Sequence, residues 1–246
     1  MEEISLKAHE LFSIGGFSIT NAFLLTLVVS FVLICGAFIV NRKISIVPGK
    51  LQGAVEMGME MLLNLMESTL GSMEKAQRYF PLIATIFIFI LTSNLMGILP
   101  GVGSLTFHSG HGEASLFRSP ASDLNFTLAF AVISVLVTNL LGMMAIGVFP
   151  HISKFLNFSN PINFFIGILE LISEIAKIIS LSFRLFGNVF AGEVLLTIIF
   201  FLAPYFIPLP FLFLELFVGM MQAFIFAMIT LVSISLHTAV HGEEHH

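Results

Sequence analysis

Apolar residues run through this chain in unusually long blocks. Phe17–Val40 is a block of 24 residues, and Phe80–Leu99 and Phe126–Phe149 are of similar length. A longer block runs from Pro161 to Leu202, and the last covers Leu209–Val240. About 20 apolar residues cross a bilayer as a helix. The pattern therefore predicts an all-α membrane protein with five membrane-crossing helices, forming a single membrane domain over residues 1–246.

The fourth block is too long to stand upright. The 43 residues from Pro161 to Ala203 contain no proline after the first, and as one helix they extend about 64 Å. The hydrocarbon core is about 30 Å thick. This helix is expected to tilt, bend or run partly along the interface, with Gly167, Gly187 and Gly192 as places for a bend. Ala203–Pro210, with prolines at 204, 208 and 210, reads as the turn into the fifth crossing. The last two crossings then form a long tilted hairpin, a shape suited to wrapping another membrane body.

Gly49–Ala76 follows a different pattern. Glu56, Glu60, Glu67 and Glu74 fall on one stripe of a helix, with Leu51, Met59, Leu62, Leu63, Met66, Leu70 and Met73 on the other side. This predicts an amphipathic helix on the membrane surface, against a partner or packed on the rest of the chain as a connector.

Composition sharpens the class. The chain is 57% hydrophobic and 10% charged, where a soluble domain carries about 25% charged residues. It holds 28 Phe and no Trp, so an aromatic belt is weak. Its single cysteine, Cys35, excludes a disulfide framework. No basic patch suggests nucleic acid, and nothing calls for a cofactor. The N-terminus does not read as a cleaved signal, because Met1–Glu10 is acidic and the apolar block after it is too long.

Cations set a topology. Arg42, Lys43, Lys50, Lys75 and Arg78 lie between the first two crossings, and Lys154 follows the third. Gly101–Leu124 holds only Arg118, and the N-terminus only Lys7. The positive-inside rule places the N-terminus outside and the C-terminus in the cytoplasm.

Ionisable groups inside membrane helices are the candidate chemistry. Each costs about 2.5–3.5 kcal/mol at mid-bilayer on translocon scales. The fourth crossing carries Glu170, Glu174, Lys177, Arg184, Asn188 and Glu193, and the fifth carries Glu215 and Gln222. At about 100° per residue, Glu174, Lys177, Arg184 and Asn188 lie within about 40° of Glu170, whereas Glu193 lies about 140° away. Arg184 thus stands between two polar regions. In an antiparallel hairpin, the index sums of the pairs Arg184 with Gln222 and Glu193 with Glu215 differ by two. If one pair faces, so nearly does the other.

Plainer roles stand beside these. Glu170 and Glu174 also suit the start of a helix, and Lys177 can snorkel to headgroups. Glu193 and Glu215 can form a structural pair sharing one proton. Arg184, deep in its block, has few such alternatives.

Two other classes fit less well. A small secondary transporter is expected to show internal repeats, and none is visible. An intramembrane enzyme lacks its motifs: no Glu follows His237 to make H-E-x-x-H, and no G-x-S-x-G occurs. His237 and His241 read as part of a solvated tail, beside His241-Gly242-Glu243-Glu244-His245-His246.

Ser182-Phe183-Arg184-Leu185-Phe186-Gly187-Asn188-Val189-Phe190-Ala191-Gly192-Glu193 resembles the signature of the a subunit of bacterial F-type ATP synthases. Val47-Pro48-Gly49-Lys50-Leu51-Gln52, Asn94-Leu95-Met96-Gly97-Ile98-Leu99-Pro100, Ser122-Asp123-Leu124-Asn125 and Gln222-Ala223-Phe224-Ile225-Phe226 resemble further stretches of that family, in order. The resemblance implies a non-catalytic, proton-conducting stator subunit of the membrane sector, in the bacterial inner membrane. Its implied partners are the rotor c-ring, the peripheral-stalk b subunits, other ATP synthase subunits and the lipid bilayer. It implies that Arg184 faces the ring and separates two half-channels. Glu193, Glu215 and Asn188 would line the outer one, Gln222 would lie near Arg184, and Glu170 and Glu174 would line the cytoplasmic exit.

Overall fold

The computed structural model describes residues 8–14, 17–42, 44–45, 49–99, 102, 106–109, 112–155 and 160–238. Lys7, Lys43, Val47-Pro48, Pro100 and the tail from Ala239, with His241, lie outside the described residues.

Among the described residues there are seven α-helices: α1 (Asn21–Arg42), α2 (Lys50–Leu70), α3 (Met73–Ile98), α4 (Leu124–Ile146), α5 (Val148–Phe155), α6 (Pro161–Leu202) and α7 (Pro208–Thr238). Five of them, all but α2 and α5, are long and apolar enough to cross a membrane. The chain is an all-α membrane protein, with two short antiparallel hairpins added. One pairs β1 (Glu10–Ile14) with β2 (Phe17–Thr20), the other β3 (Thr106–Ser109) with β4 (Gly112–Ser115).

Backbone chemistry corrects several expected boundaries. Phe17–Thr20 is a strand rather than the start of the first crossing. The helix begins after it because the Thr20 hydroxyl accepts from the amide of Phe23 at 3.2 Å, which caps the first turn. The stripe Glu56, Glu60, Glu67 and Glu74 is not on one helix. Gly71 adopts φ 72°, a conformation glycine reaches without cost, and its amide donates to the Glu67 carbonyl. That ends α2, and Glu74 falls in the first turn of α3, where an acid suits the helix dipole. Met73 goes with it. The third crossing stops at Ile146 instead of Phe149, because Gly147 turns the chain at φ 102° and Val148 opens α5. Pro208 and Pro210 stand in the first turn of α7 rather than in the connecting turn; no backbone donor is needed there.

Helix α6 is one continuous helix of 42 residues. Two of its glycines admit neighbours. A Cβ at Gly167 would lie 2.5 Å from the Phe155 carbonyl oxygen, and one at Gly192 would lie 3.0 Å from a Glu215 carboxylate oxygen.

Helix α7 is the hub. Half of its most apolar window, 50%, is buried within the chain, against 11% for α6. One core layer joins Ile86 and Ile90 of α3, Ala131 of α4, Leu181, Leu185 and Val189 of α6, and Ala223 and Phe226 of α7. A second joins Met66 and Leu70 of α2 to Tyr79 and Ile83 of α3 and Leu231 and Ile234 of α7. The end of α2 is thus packed on the chain, while Met57 and Met61 nearer its start are exposed. Hydroxyl pairs Thr127–Ser182 at 3.1 Å and Ser134–Thr230 at 2.8 Å tie α4 to α6 and α7. Such bonds contribute about 0.6 kcal/mol each on average within membranes.

Candidate functional site

Arg184 lies near the middle of α6 and is exposed, as are its neighbours Phe183 and Asn188. Its guanidinium donates to the Ser180 hydroxyl one turn away, at 3.1 Å. No ion pair to Arg184 occurs among the described residues. The side chain turns away from its own bundle.

Two polar clusters flank it along α6. Glu174 is ten residues before it and Glu193 nine after, so each lies about 14–15 Å away along the axis. The two clusters are about 28 Å apart, close to the thickness of the hydrocarbon core.

The cluster at Glu193 lines a cavity of 590 Å³, bounded by Asn188, Glu193, Glu215, Arg118, Asn94 and Thr197 among others. Glu215 comes from α7 and reaches α6 because Gly192 has no side chain. Arg118 arrives from the loop before α4. Its Nε donates to the Ser122 hydroxyl at 3.0 Å and lies 3.8 Å from Glu193 Oε2. The guanidinium also sits 5.8 Å from the centre of the Phe190 ring. A buried 3-10 turn, Pro120–Ser122, holds this loop in place, and Asp123 caps α4 by accepting from the Asn125 amide. Glu193 Oε2, Glu215 Oε2 and Gln222 Nε2 are buried without a hydrogen bond among the described residues. A cavity of this size beside carboxylate oxygens that lack hydrogen bonds has room and partners for a chain of waters.

Nearby, Asn188 Nδ2 donates to Gln222 Oε1 at 2.9 Å, and Asn94 Nδ2 donates to the Gly219 carbonyl at 2.8 Å. The first bond joins the hairpin's two helices; the second joins α3 to α7. Gly97, in the same stretch as Asn94, leaves the space that Ser119 fills.

The cluster at Glu174 is closely bonded. Glu174 is buried and accepts from Lys177 Nζ at 2.6 Å and Asn139 Nδ2 at 3.1 Å. His237 Nε2 lies 3.3 Å from the same carboxylate. His237 is therefore no part of a solvated tail: it is 5% exposed and faces the helix bundle. The Lys177 ammonium binds Glu174 instead of reaching outward. His151 of α5 completes the group, with its Nε2 3.1 Å from Asn139 Oδ1. Glu170, half-buried, acts electrostatically on His151.

The sequence-predicted residues thus fall into three places. Glu193, Glu215 and Asn188 share the cavity, with Gln222 bonded to Asn188; Arg184 stands alone; Glu174 anchors the second cluster with Glu170 on its flank. The sequence reading missed Arg118, Asn139, His151 and His237. Arg118 had one visible mark, as the sole cation in its loop. Among the described residues, no group of three or more His, Cys, Asp or Glu is arranged to hold a metal ion.

A family model described as "ATP synthase A chain" matches residues 23–235. The chain is 34% identical to ATP synthase subunit a of Moorella thermoacetica over 237 residues, covering 96% of this chain and 98% of that protein. It is 36% identical to ATP synthase subunit a of Campylobacter concisus over 220 residues, with 88% and 89% covered. It is 36% identical to ATP synthase subunit a 3 of Pelobacter propionicus over 200 residues, with 80% and 79% covered.

Proposed function

Because the chain belongs to the ATP synthase A chain family, the non-catalytic, proton-translocating membrane subunit of the Fo sector, we propose that its two polar clusters are the inner ends of two half-channels and that Arg184 separates them. Protons enter through the cavity at Glu193 and Glu215, load onto a carboxylate of a rotor c subunit, and leave past Glu174 and Glu170 after the ring has turned. The N-terminus lies outside and the C-terminus in the cytoplasm of a bacterial inner membrane. The c-ring packs on the exposed side of α6, and b subunits hold the chain against it.

One observation carries the reading: Arg184 is exposed on α6 between the clusters, without an ionic partner among the described residues. A guanidinium cannot shed its proton, and at such depth it is too costly to leave facing lipid. A rotor carboxylate answers both conditions. An opposite charge that close lowers a carboxyl pKa by about 1–3 units, or about 1.4–4 kcal/mol, which drives the arriving proton off. The same fixed charge blocks a proton from passing between the half-channels without the rotor.

Replacing Arg184 with Ala is the test. ATP-driven proton pumping in membrane vesicles should disappear while the complex still assembles. Near-normal coupled pumping would sink the assignment.

A further inference from the structure

We infer that Glu174 and His237 hold one exchangeable proton between them and are the proton-accepting pair on the Glu174 side of Arg184, with His151 as the neighbouring ring that disfavours a second proton there.

The geometry of His237 requires the shared proton. Its Nδ1 lies 2.7 Å from the Ser233 carbonyl oxygen, and its Nε2 lies 3.3 Å from Glu174 Oε1. A carbonyl oxygen carries no hydrogen, so Nδ1 must donate. In a neutral ring Nε2 would then present a lone pair to the lone pairs of a carboxylate. A proton between them removes the conflict, on the ring as imidazolium or on Glu174 as the acid. Both side chains are buried, so the proton is held rather than lost to bulk water.

The surroundings fit a site that loads and unloads. Asn139 donates to Glu174 Oε2 and Val135 O, which leaves its Oδ1 to accept from His151 Nε2. The other nitrogen of His151, Nδ1, is then an acceptor when the ring is neutral, and it is buried without a hydrogen bond among the described residues. The two rings stand 5.6 Å apart. Two imidazolium charges at that distance in a buried site repel, so a proton held on one ring disfavours a second on the other. Burial, and after it the charges of His237 and Lys154, hold His151 below the ordinary histidine value, against the pull of Glu170 and Glu174. Lys177 of α6 is the remaining charge on the cluster.

The site is built for these rings. A Cβ at Gly142 would lie 2.8 Å from His151 Cε1 and 2.9 Å from His237 Cβ, so only glycine lets both in. Ser180, Lys177 and Glu174 step along α6 from Arg184 at intervals of four, three and three residues, a polar route to the pair.

The inference rests on the half-channel reading and adds its first proton stop. The O–H bond of the rotor carboxyl breaks as that group meets Arg184. The proton crosses by water and forms an N–H or O–H bond on the Glu174–His237 pair. The pair then releases a proton to the water beyond it, and its own charge returns to the starting value.

The test is passive proton flux through the head-stripped membrane sector in proteoliposomes, with pH varied on the Glu174 side. Wild-type flux should show an inflection with pH. His237→Gln keeps an amide donor for Glu174 but cannot bind a proton. It should erase the inflection and lower flux about a hundredfold, the low end of what one positioned acid–base group contributes. Glu193→Gln runs as the control. If His237→Gln keeps both flux and inflection while Glu193→Gln loses flux, the proton stop is overturned and the half-channels stand. If neither loses flux, the half-channel reading falls and takes this inference with it. Should His237→Gln fail to assemble with the c-ring, nitrogen NMR of labelled histidine in the wild-type sector decides. A ring nitrogen of His237 that titrates supports the pair; two that stay unchanged from acid to alkaline pH overturn it.

Discussion

Asn188 donates its amide to Gln222 at 2.9 Å, one helical turn from Arg184, and this bond fixes the register of α6 against α7 where the arginine emerges. The hairpin register expected from the sequence allowed Gln222 to face Arg184 itself. The bonded partner of Gln222 is the residue one turn further on, so Gln222 steadies the helix that bears the arginine.

Gln222→Leu should therefore leave the complex assembled and impair coupling. An interhelical hydrogen bond in a membrane is worth about 0.6 kcal/mol on average and up to about 1.7, too little to unfold the subunit. Yield of intact complex and ATP-driven pumping, measured on the same membranes, should separate: near-normal yield with clearly reduced pumping. Equal losses in both would assign Gln222 to folding alone.

Glu193 and Glu215 line one cavity from two helices. If they serve one path, Gln at either should slow proton conduction in both directions, and the double variant should be little worse than the worse single one. Conduction through the head-stripped sector is the measurement. Fully additive losses would place them on separate paths.

Helix α2 bears exposed Glu56 and Glu60 and is too short of apolar length to cross. In a Cys35→Ser background, Glu60→Cys should react with a membrane-impermeant thiol reagent from the cytoplasmic side alone. Reaction only from outside would invert the proposed topology.

His151 gives a pH prediction. Burial and then the charges of His237 and Lys154 hold its pKa below the ordinary histidine value of about 6.5. Between the two values the unfolded chain binds more protons than the folded one, so the neutral ring's contribution is full above about pH 6.5 and is lost as pH falls toward the native pKa. Thermal stability of the purified complex should decline on mild acidification, and His151→Asn should flatten that decline. An unchanged slope in the variant would exclude His151 as its source.

The crossings were legible because a bilayer demands about 20 apolar residues in a row, and few other structures do. What the pattern concealed depended on single backbone angles and on distant neighbours. The acidic stripe runs through Gly71 without a break in its periodicity, yet one positive φ assigns Glu74 to another helix. Arg184 stood out because a charge so deep in an apolar block is costly in any fold. His237 looked like the edge of a polar tail, and only the space left by Gly142, 95 residues earlier in the chain, makes it a buried partner of Glu174. Arg118 meets Glu193 across 75 residues, a contact no local pattern encodes.

Between the two clusters, the packed layer of Ile86, Ile90, Leu181, Leu185, Val189 and Phe226 is mostly hydrocarbon. Electrically it is an insulator between two polar clusters. With water reaching both clusters as proposed, the membrane voltage falls across the layer between them. Each charge carried past it by the rotor collects about 2.3 kcal/mol per 100 mV, delivered between the two clusters that flank Arg184. Voltage and proton concentration then act on the same rotor carboxylate as interchangeable forces, because both set how full its two waiting sites are.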